Sequence, residues 1–139
     1  MSIRDIYRVI SEMAVGDVQA RNLDEIKLAV RASDCPMRLL LPSTQGNQGF
    51  VAIGTLSRTI WTIRDLCLWQ PVIEGSGIEQ CANDMMAYIE LYAAGIRRMR
   101  APTPESNIIS VTFQLGPIPW AVTDFWAIDV TVEVEEHLL

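Results

Sequence analysis

The spacing of apolar residues along the chain predicts two helices. Between Ser2 and Met13 the apolar positions fall on one face of a helix, with Ser2 in position to cap it. From Ile78 to Met99, apolar residues recur at alternating spacings of four and three, which is typical of a longer helix with one buried face. Ser76 and Glu79 have the spacing of a capping box at its start, and arginines in its last turn suit the helix dipole.

Between the two helices the pattern predicts strands. The apolar run Met37–Leu41 is a short strand candidate, and Phe50–Thr55 and Arg58–Trp69 are rich in residues that favour β-structure. Apolar residues on both faces of Arg58–Trp69 indicate a central strand that is covered on both sides. The polar, glycine-rich segment Thr44–Gly49 is expected to be a surface loop.

The last third of the chain predicts a β-hairpin, because its residues alternate with a period of two. In the first strand, Ile109 is expected to share a face with Val111, Phe113 and Leu115, while Ile108 shares the other face with Ser110. A proline-rich connection over Gly116–Val122 would follow. The second strand has one apolar face and one polar, acidic face: Trp126, Ile128, Val130, Val132 and Val134 against Ala127, Asp129, Thr131, Glu133 and Glu135.

This order of elements predicts the α+β class: an antiparallel (or mixed) sheet with two main helices packed on one face and a C-terminal β-hairpin. The 139 residues suit a single domain, 1–139. With 50% hydrophobic and 20% charged residues, the chain can fold around an ordinary core without disulfide or metal cross-links. A net charge of −6 argues against a general nucleic-acid binder, which needs a basic face.

The sequence offers no recognisable catalytic or cofactor-binding motif. His137 is the only histidine and lies near the end of the chain, so a catalytic triad or a zinc site is not expected. Lys27 is the only lysine and is far from both glycine clusters, which excludes a P-loop. Three widely spaced cysteines and a charged N-terminal segment favour reduced thiols and synthesis in a cytoplasm. We therefore expect no enzyme activity, no cofactor and no metal.

Two groups of residues are candidates for function. Asp129, Glu133 and Glu135 lie two to four residues apart on one strand face, and a row of like charges there favours a solvated or pore-facing surface over a paired-acid glycosidase site. Trp69 and Trp120 lie at strand ends, where they are either subunit contacts or core residues. The ten arginines against one lysine indicate either an interface or a coding bias.

Four segments resemble those of the tail terminator proteins of long-tailed bacteriophages: Ser33–Pro42, Thr59–Leu68, the helix Ile78–Met99 and the closing strand Phe125–Glu136 with its acidic end. The resemblance covers most of the chain, as an arrangement of elements without a diagnostic motif. It implies a subunit of a hexameric ring in the virion, assembled in the host cytoplasm. This ring caps the tail tube, stops its elongation, joins it to the neck and lets DNA pass.

The resemblance also implies partners and sites. The partners would be other copies of the chain, the tail tube protein and a neck or stopper protein, with DNA only in passage. Asp129, Thr131, Glu133 and Glu135 would face the lumen, because repulsion keeps DNA phosphates from binding there. Contacts between subunits, or with tube and neck, are expected from Trp69, Trp120, Gln45, Asn47 and Gln48.

Two alternatives remain open. The chain could be another head–tail connector, of the stopper or adaptor kind. It could also be a non-viral ligand-binding domain, which would need a pocket lined by Arg64 and Asp65.

Overall fold

The structure is a computed structural model that describes residues 3–13, 15, 16, 18, 20, 34–41, 45–50, 57–72, 77–98, 106–120 and 123–138. A short 3₁₀ turn, Ile78–Gln80, precedes the second helix. The elements in chain order are α1 (Ile3–Glu12), β1 (Met37–Leu40), β2 (Gln45–Phe50), β3 (Ser57–Pro71), α2 (Ala82–Arg98), β4 (Ser106–Trp120) and β5 (Thr123–Leu138).

The strands form one five-stranded sheet in which every paired strand is antiparallel to its neighbour. The order is β1-β3-β5-β4, and β2 also pairs with β3. Because the other side of β3 is occupied by β5, β1 and β2 follow each other along the same side of β3. The α+β class with a C-terminal hairpin, β4–β5, is thus confirmed.

Both helices pack on one face of this sheet. Ile6 and Ile10 of α1 lie in one core cluster with the inward stripe of α2, and this cluster includes Ile63 and Cys67 of β3. This inward row consists of Met85, Tyr88, Tyr92 and Ile96. From β5, alternate residues point into the same cluster: Ile128, Val130, Val132 and Val134. The period-two prediction for β5 is therefore confirmed.

A second core cluster lies on the opposite face, at one end of the sheet. Leu66 and Leu68 of β3 are completely buried there, next to Phe125 and Ala127 of β5. Because Ile63 and Cys67 are completely buried on the helix side, β3 is covered on both faces, as its sequence predicts.

Two segments expected to be loops are strands. Gln45–Phe50 is β2, because β3 offers it a hydrogen-bonding partner, and this pairing outweighs the low β propensity of glycine, asparagine and glutamine. Gly116–Trp120 continues β4, whose prolines are tolerated at the edge of the sheet, where one side of the strand needs no N–H donor. The predicted strand Phe50–Thr55 lies outside the described residues except for Phe50.

The orientation expected for Ile108 and Ile109 is wrong. The register between β4 and β5 shifts between Ile108 and Ser110, so Ile108 is buried opposite Val134 while Ile109 is exposed. Such a bulge inserts one residue and reverses the phase of the alternation before it. The second helix also begins later than expected, at Ala82, after the 3₁₀ turn. Ser76 of the predicted capping box lies outside the described residues.

Candidate functional site

The polar residues of β5 form a continuous surface on the face of the sheet opposite the helices. We call this surface the acidic face; it consists of Asp129, Thr131, Glu133 and Glu135, and all four are partly exposed. Their cross-strand neighbours on β4 are exposed polar residues: Ser110, Thr112 and Gln114. The neighbours on β3 include Thr62 and Arg64. The structure thus brings the four predicted residues together on one open surface.

One ion pair lies on this surface. Arg64 Nε donates to Asp129 Oδ1 at 2.9 Å, and the two side chains are 35% and 18% exposed. Solvent screens such a pair, so it contributes at most about 1 kcal/mol to stability. Arg64 of β3 lies on this face beside three carboxylates of β5, Asp129, Glu133 and Glu135. The carboxylates of β5 give this part of the face its acidic character.

The acidic face ends at the second core cluster. Along β5, Phe125 and Ala127 are completely buried, whereas the residues at the same phase from Asp129 to Glu135 are partly exposed. The same strand face therefore changes from apolar to acidic within two residues. This division fixes which half of the face meets solvent, because burying the carboxylates without partners would cost several kcal/mol.

The two tryptophans at strand ends are half-buried and contact the protein's own core. Trp69 packs edge-on against Tyr88 of α2, with ring centroids 5.8 Å apart. Trp120 packs against the second core cluster at the end of β4. Both indoles therefore contribute to packing, and each also has an accessible part at one end of the sheet.

Gln45, Asn47 and Gln48 belong to β2 and not to a flexible loop. Their backbones pair with Thr62, Ile60 and Thr59 of β3. They therefore lie along the edge of the sheet that β1 and β2 form, and the expected docking loop is replaced by an ordered edge strand.

The structure also contains a buried cluster of charged and polar side chains that the sequence did not reveal. Arg38 of β1 and Asp65 of β3 are completely buried. Arg38 Nε lies 3.0 and 2.9 Å from the two Asp65 carboxylate oxygens, and its Nη2 lies 2.7 Å from Oδ2. The Tyr92 hydroxyl donates to the same Oδ2 at 2.6 Å. Every oxygen of the carboxylate thus accepts a hydrogen bond.

The remaining donors of Arg38 bind the C-terminal end of α1. Its guanidinium donates to the carbonyl oxygens of Ile10 and Met13, which lie at the helix end where carbonyls lack partners within the helix. Arg38 also lies over the Tyr92 ring, 5.5 Å from its centroid. The cluster therefore attaches α1 to the sheet, which is a structural role.

Electrostatics inside this cluster favour a charged arginine and a neutral tyrosine. Burial lowers the pKa of Arg38, but attraction and hydrogen bonds to Asp65 outweigh it, so the net shift is upward. Burial, and then the nearby Asp65 carboxylate, raise the pKa of Tyr92 well above its ordinary value. A completely buried ion pair with its hydrogen bonds filled has no free group to offer a substrate.

The pocket that a ligand-binding domain would need is not built from Arg64 and Asp65. They are neighbours on one strand, so Arg64 points to the acidic face and Asp65 points to the helix side.

The cysteine thiols are unsuited to nucleophilic chemistry. Burial raises the pKa of Cys67 to about 12 and that of Cys35 to about 11, with a smaller contribution from neighbouring carboxylates.

Among the described residues, no group of three or more histidine, cysteine, aspartate or glutamate side chains is placed to hold a metal ion. No helix in the described part of the chain is long and apolar enough to cross a membrane. A scan against protein-family models gives no match for this chain, and a search of curated proteins gives none either.

Proposed function

We propose that this chain is a virion structural protein: a tail-terminator-like subunit whose ring caps the tail tube of a bacteriophage, connects it to the neck and lets DNA pass. The observation that supports the proposal best is the acidic face, a partly exposed row of carboxylates on the face of the sheet opposite α1 and α2. A surface of this kind suits the wall of a channel better than it suits a binding site for an anion.

The charge of the acidic face suits passage of DNA. A duplex carries one negative charge per about 1.7 Å, and proteins that hold DNA neutralise its phosphates with lysine and arginine. Asp129, Glu133 and Glu135 repel phosphates, and the guanidinium of Arg64 beside them is held by Asp129. A lumen lined in this way would not retain the DNA that moves through it.

The edges of the sheet suit a closed ring. Neighbouring subunits in a ring contact each other through two different surfaces, one on each side of the subunit. The strand order ends in two different edges: β4 on one side, and β1 with β2 on the other, where Ala20 forms a parallel bridge to Arg38 of β1. Gln45, Asn47 and Gln48 lie on the second edge, and Trp69 and Trp120 lie at the ends of the sheet. With the acidic face inward, both helices would lie outside the ring.

Electron microscopy of particles made with and without this chain tests the role directly. We expect uncapped or overlong tail tubes in its absence, because nothing would then stop elongation. Full heads without tails would instead indicate the related joining role of a stopper or adaptor. Normal, capped tails of normal length in particles that lack the chain would refute the proposal.

Charge-reversed variants test the role of the acidic face. In Glu133→Lys/Glu135→Lys, we expect capped tails of normal length but slower DNA ejection, with the delay relieved by added salt. The matched control is Glu12→Lys/Glu90→Lys, which makes the same charge change at exposed positions on the two helices. Equal ejection rates for the two variants would contradict a lumenal position for the acidic face.

A further inference from the structure

We propose that the outer surface of α2 binds a second copy of this chain, with the two α2 helices packed antiparallel across a two-fold axis. The surface is a stripe of residues at spacings of three and four, which we call the α2 stripe: Asp84, Ala87, Leu91, Ala94 and Arg98. Such spacing places side chains in one row along a helix. The buried residues of α2, Met85, Tyr88, Tyr92 and Ile96, lie in a different row.

The α2 stripe is accessible and apolar in its middle. Leu91 is 48% exposed, Asp84, Ala87 and Arg98 are exposed, and Ala94 is half-buried. A large apolar side chain between two alanines lets a partner helix approach closely, because alanine adds little bulk at the contact.

The charges at the ends of the α2 stripe favour a second copy in one orientation. Leu91 lies seven residues from Asp84 and seven from Arg98, or about 10 Å in each direction along the helix. If two copies cross at Leu91 in antiparallel orientation, each Asp84 meets Arg98 of the second copy. A parallel copy would instead place like charges together. The pattern is therefore complementary to itself, and antiparallel packing also opposes the two helix dipoles.

Gly16 lies beside Leu91 at the border of the α2 stripe, and a Cβ atom on it would be 3.4 Å from Leu91 Cδ1. Its φ of +59° is a conformation that favours glycine. The glycine therefore places no side chain against Leu91 at this one point of the border.

The contact is independent of the proposed function. The α2 stripe belongs to a helix that packs on the face of the sheet opposite the acidic face, and it uses neither edge of the sheet. If the free chain is a monomer, the contact produces a dimer; if it is a ring with its helices outside, the contact links one ring to others. In both cases the average mass rises with protein concentration.

Analytical ultracentrifugation of the full chain, at protein concentrations up to about 1 mM, measures this association. One stripe buries less than the roughly 800 Å² per partner of a standard interface, so we expect a weak complex with a dissociation constant on the order of 100 µM. Leu91→Lys should weaken the association by at least about tenfold. The control Met86→Lys changes another exposed apolar residue of α2 that lies off the stripe, and it should leave association unchanged.

Charge exchange tests the antiparallel orientation. Asp84→Arg and Arg98→Asp should each weaken association, and the double variant should restore it, because the pair is then reversed but still complementary. Circular dichroism checks that each variant is folded. A chain whose average mass does not rise with concentration up to about 1 mM, or a double variant no better than the single ones, would overturn the proposal. Absence of the chain from virions would refute the proposed function and leave this result unaffected.

Discussion

Replacing Asp65 by asparagine would leave the Arg38 guanidinium charged inside the protein without its counterion. Arginine cannot escape by losing its proton, because its pKa is far above physiological pH and is raised further here by Asp65. The variant keeps the side-chain volume and the two carbonyl acceptors at the end of α1. It removes the negative charge that lies 2.7–3.0 Å from the guanidinium nitrogens.

The expected loss of stability follows from the burial of the pair. Both side chains are 0% exposed, and removing one partner of such a buried pair costs about 3–5 kcal/mol. The second arginine–aspartate pair provides a matched control with the same 2.9 Å contact between Nε and a carboxylate oxygen, but at 35% and 18% exposure. Asp129→Asn should therefore cost less than about 1 kcal/mol.

Urea unfolding followed by circular dichroism measures both effects. With a slope of about 1–3 kcal/mol per molar urea, Asp65→Asn should lower the midpoint by about 2 M, and Asp129→Asn by less than about 0.5 M. If Asp65→Asn fails to fold, the double variant Arg38→Met/Asp65→Leu should fold, since it removes both buried charges together. Equal midpoints for the two asparagine variants would refute the reasoning that Asp65 compensates a buried charge on Arg38.

Three further experiments test the packing and backbone conformation of the fold. Burial raises the pKa of Cys67 to about 12 and that of Cys35 to about 11, so the folded state favours the protonated thiols. The melting temperature should therefore show this stabilisation in full below pH 9 and lose it progressively above pH 9. A melting temperature that does not fall above pH 9 would contradict this. Tyr92→Phe removes a 2.6 Å hydrogen bond to the buried carboxylate and should cost about 1.5–3 kcal/mol in urea unfolding. Gly16→Ala should lower the free energy of unfolding by about 1–2 kcal/mol, because the φ of Gly16 is +59°. Its control, Gly116→Ala, should change that free energy by less than about 0.5 kcal/mol, because no atom lies within 4 Å of the added Cβ.

The faces of β5 could be read from the sequence because successive side chains on a strand point to opposite sides. The alternation from Trp126 to Glu135 therefore assigned the acidic and apolar faces before any partner strand was known. The same rule gave the wrong face for Ile108 and Ile109, because the bulge in β4 depends on its register with β5.

The edges of the sheet depended on partners that are distant in sequence. The composition of Thr44–Gly49 favours a loop, and only the hydrogen bonds that β3 offers make its residues from Gln45 onward a strand. The α2 stripe was present in the sequence as a spacing, but whether it is buried or exposed depends on which side of α2 meets the sheet.

By itself, the sequence determined the α+β class, the two helices, the central strand and the acidic face, since each follows from a local period that the backbone geometry imposes. Only the tertiary structure decided the Arg38–Asp65–Tyr92 cluster. Its members come from β1, β3 and α2. The register pairs Arg38 with Cys67 and Leu40 with Asp65. Arg38 and Asp65 are therefore diagonal neighbours on one face of the sheet, where their charges meet. Contacts between residues 27 positions apart are set by strand pairing and burial, and no local pattern contains that information.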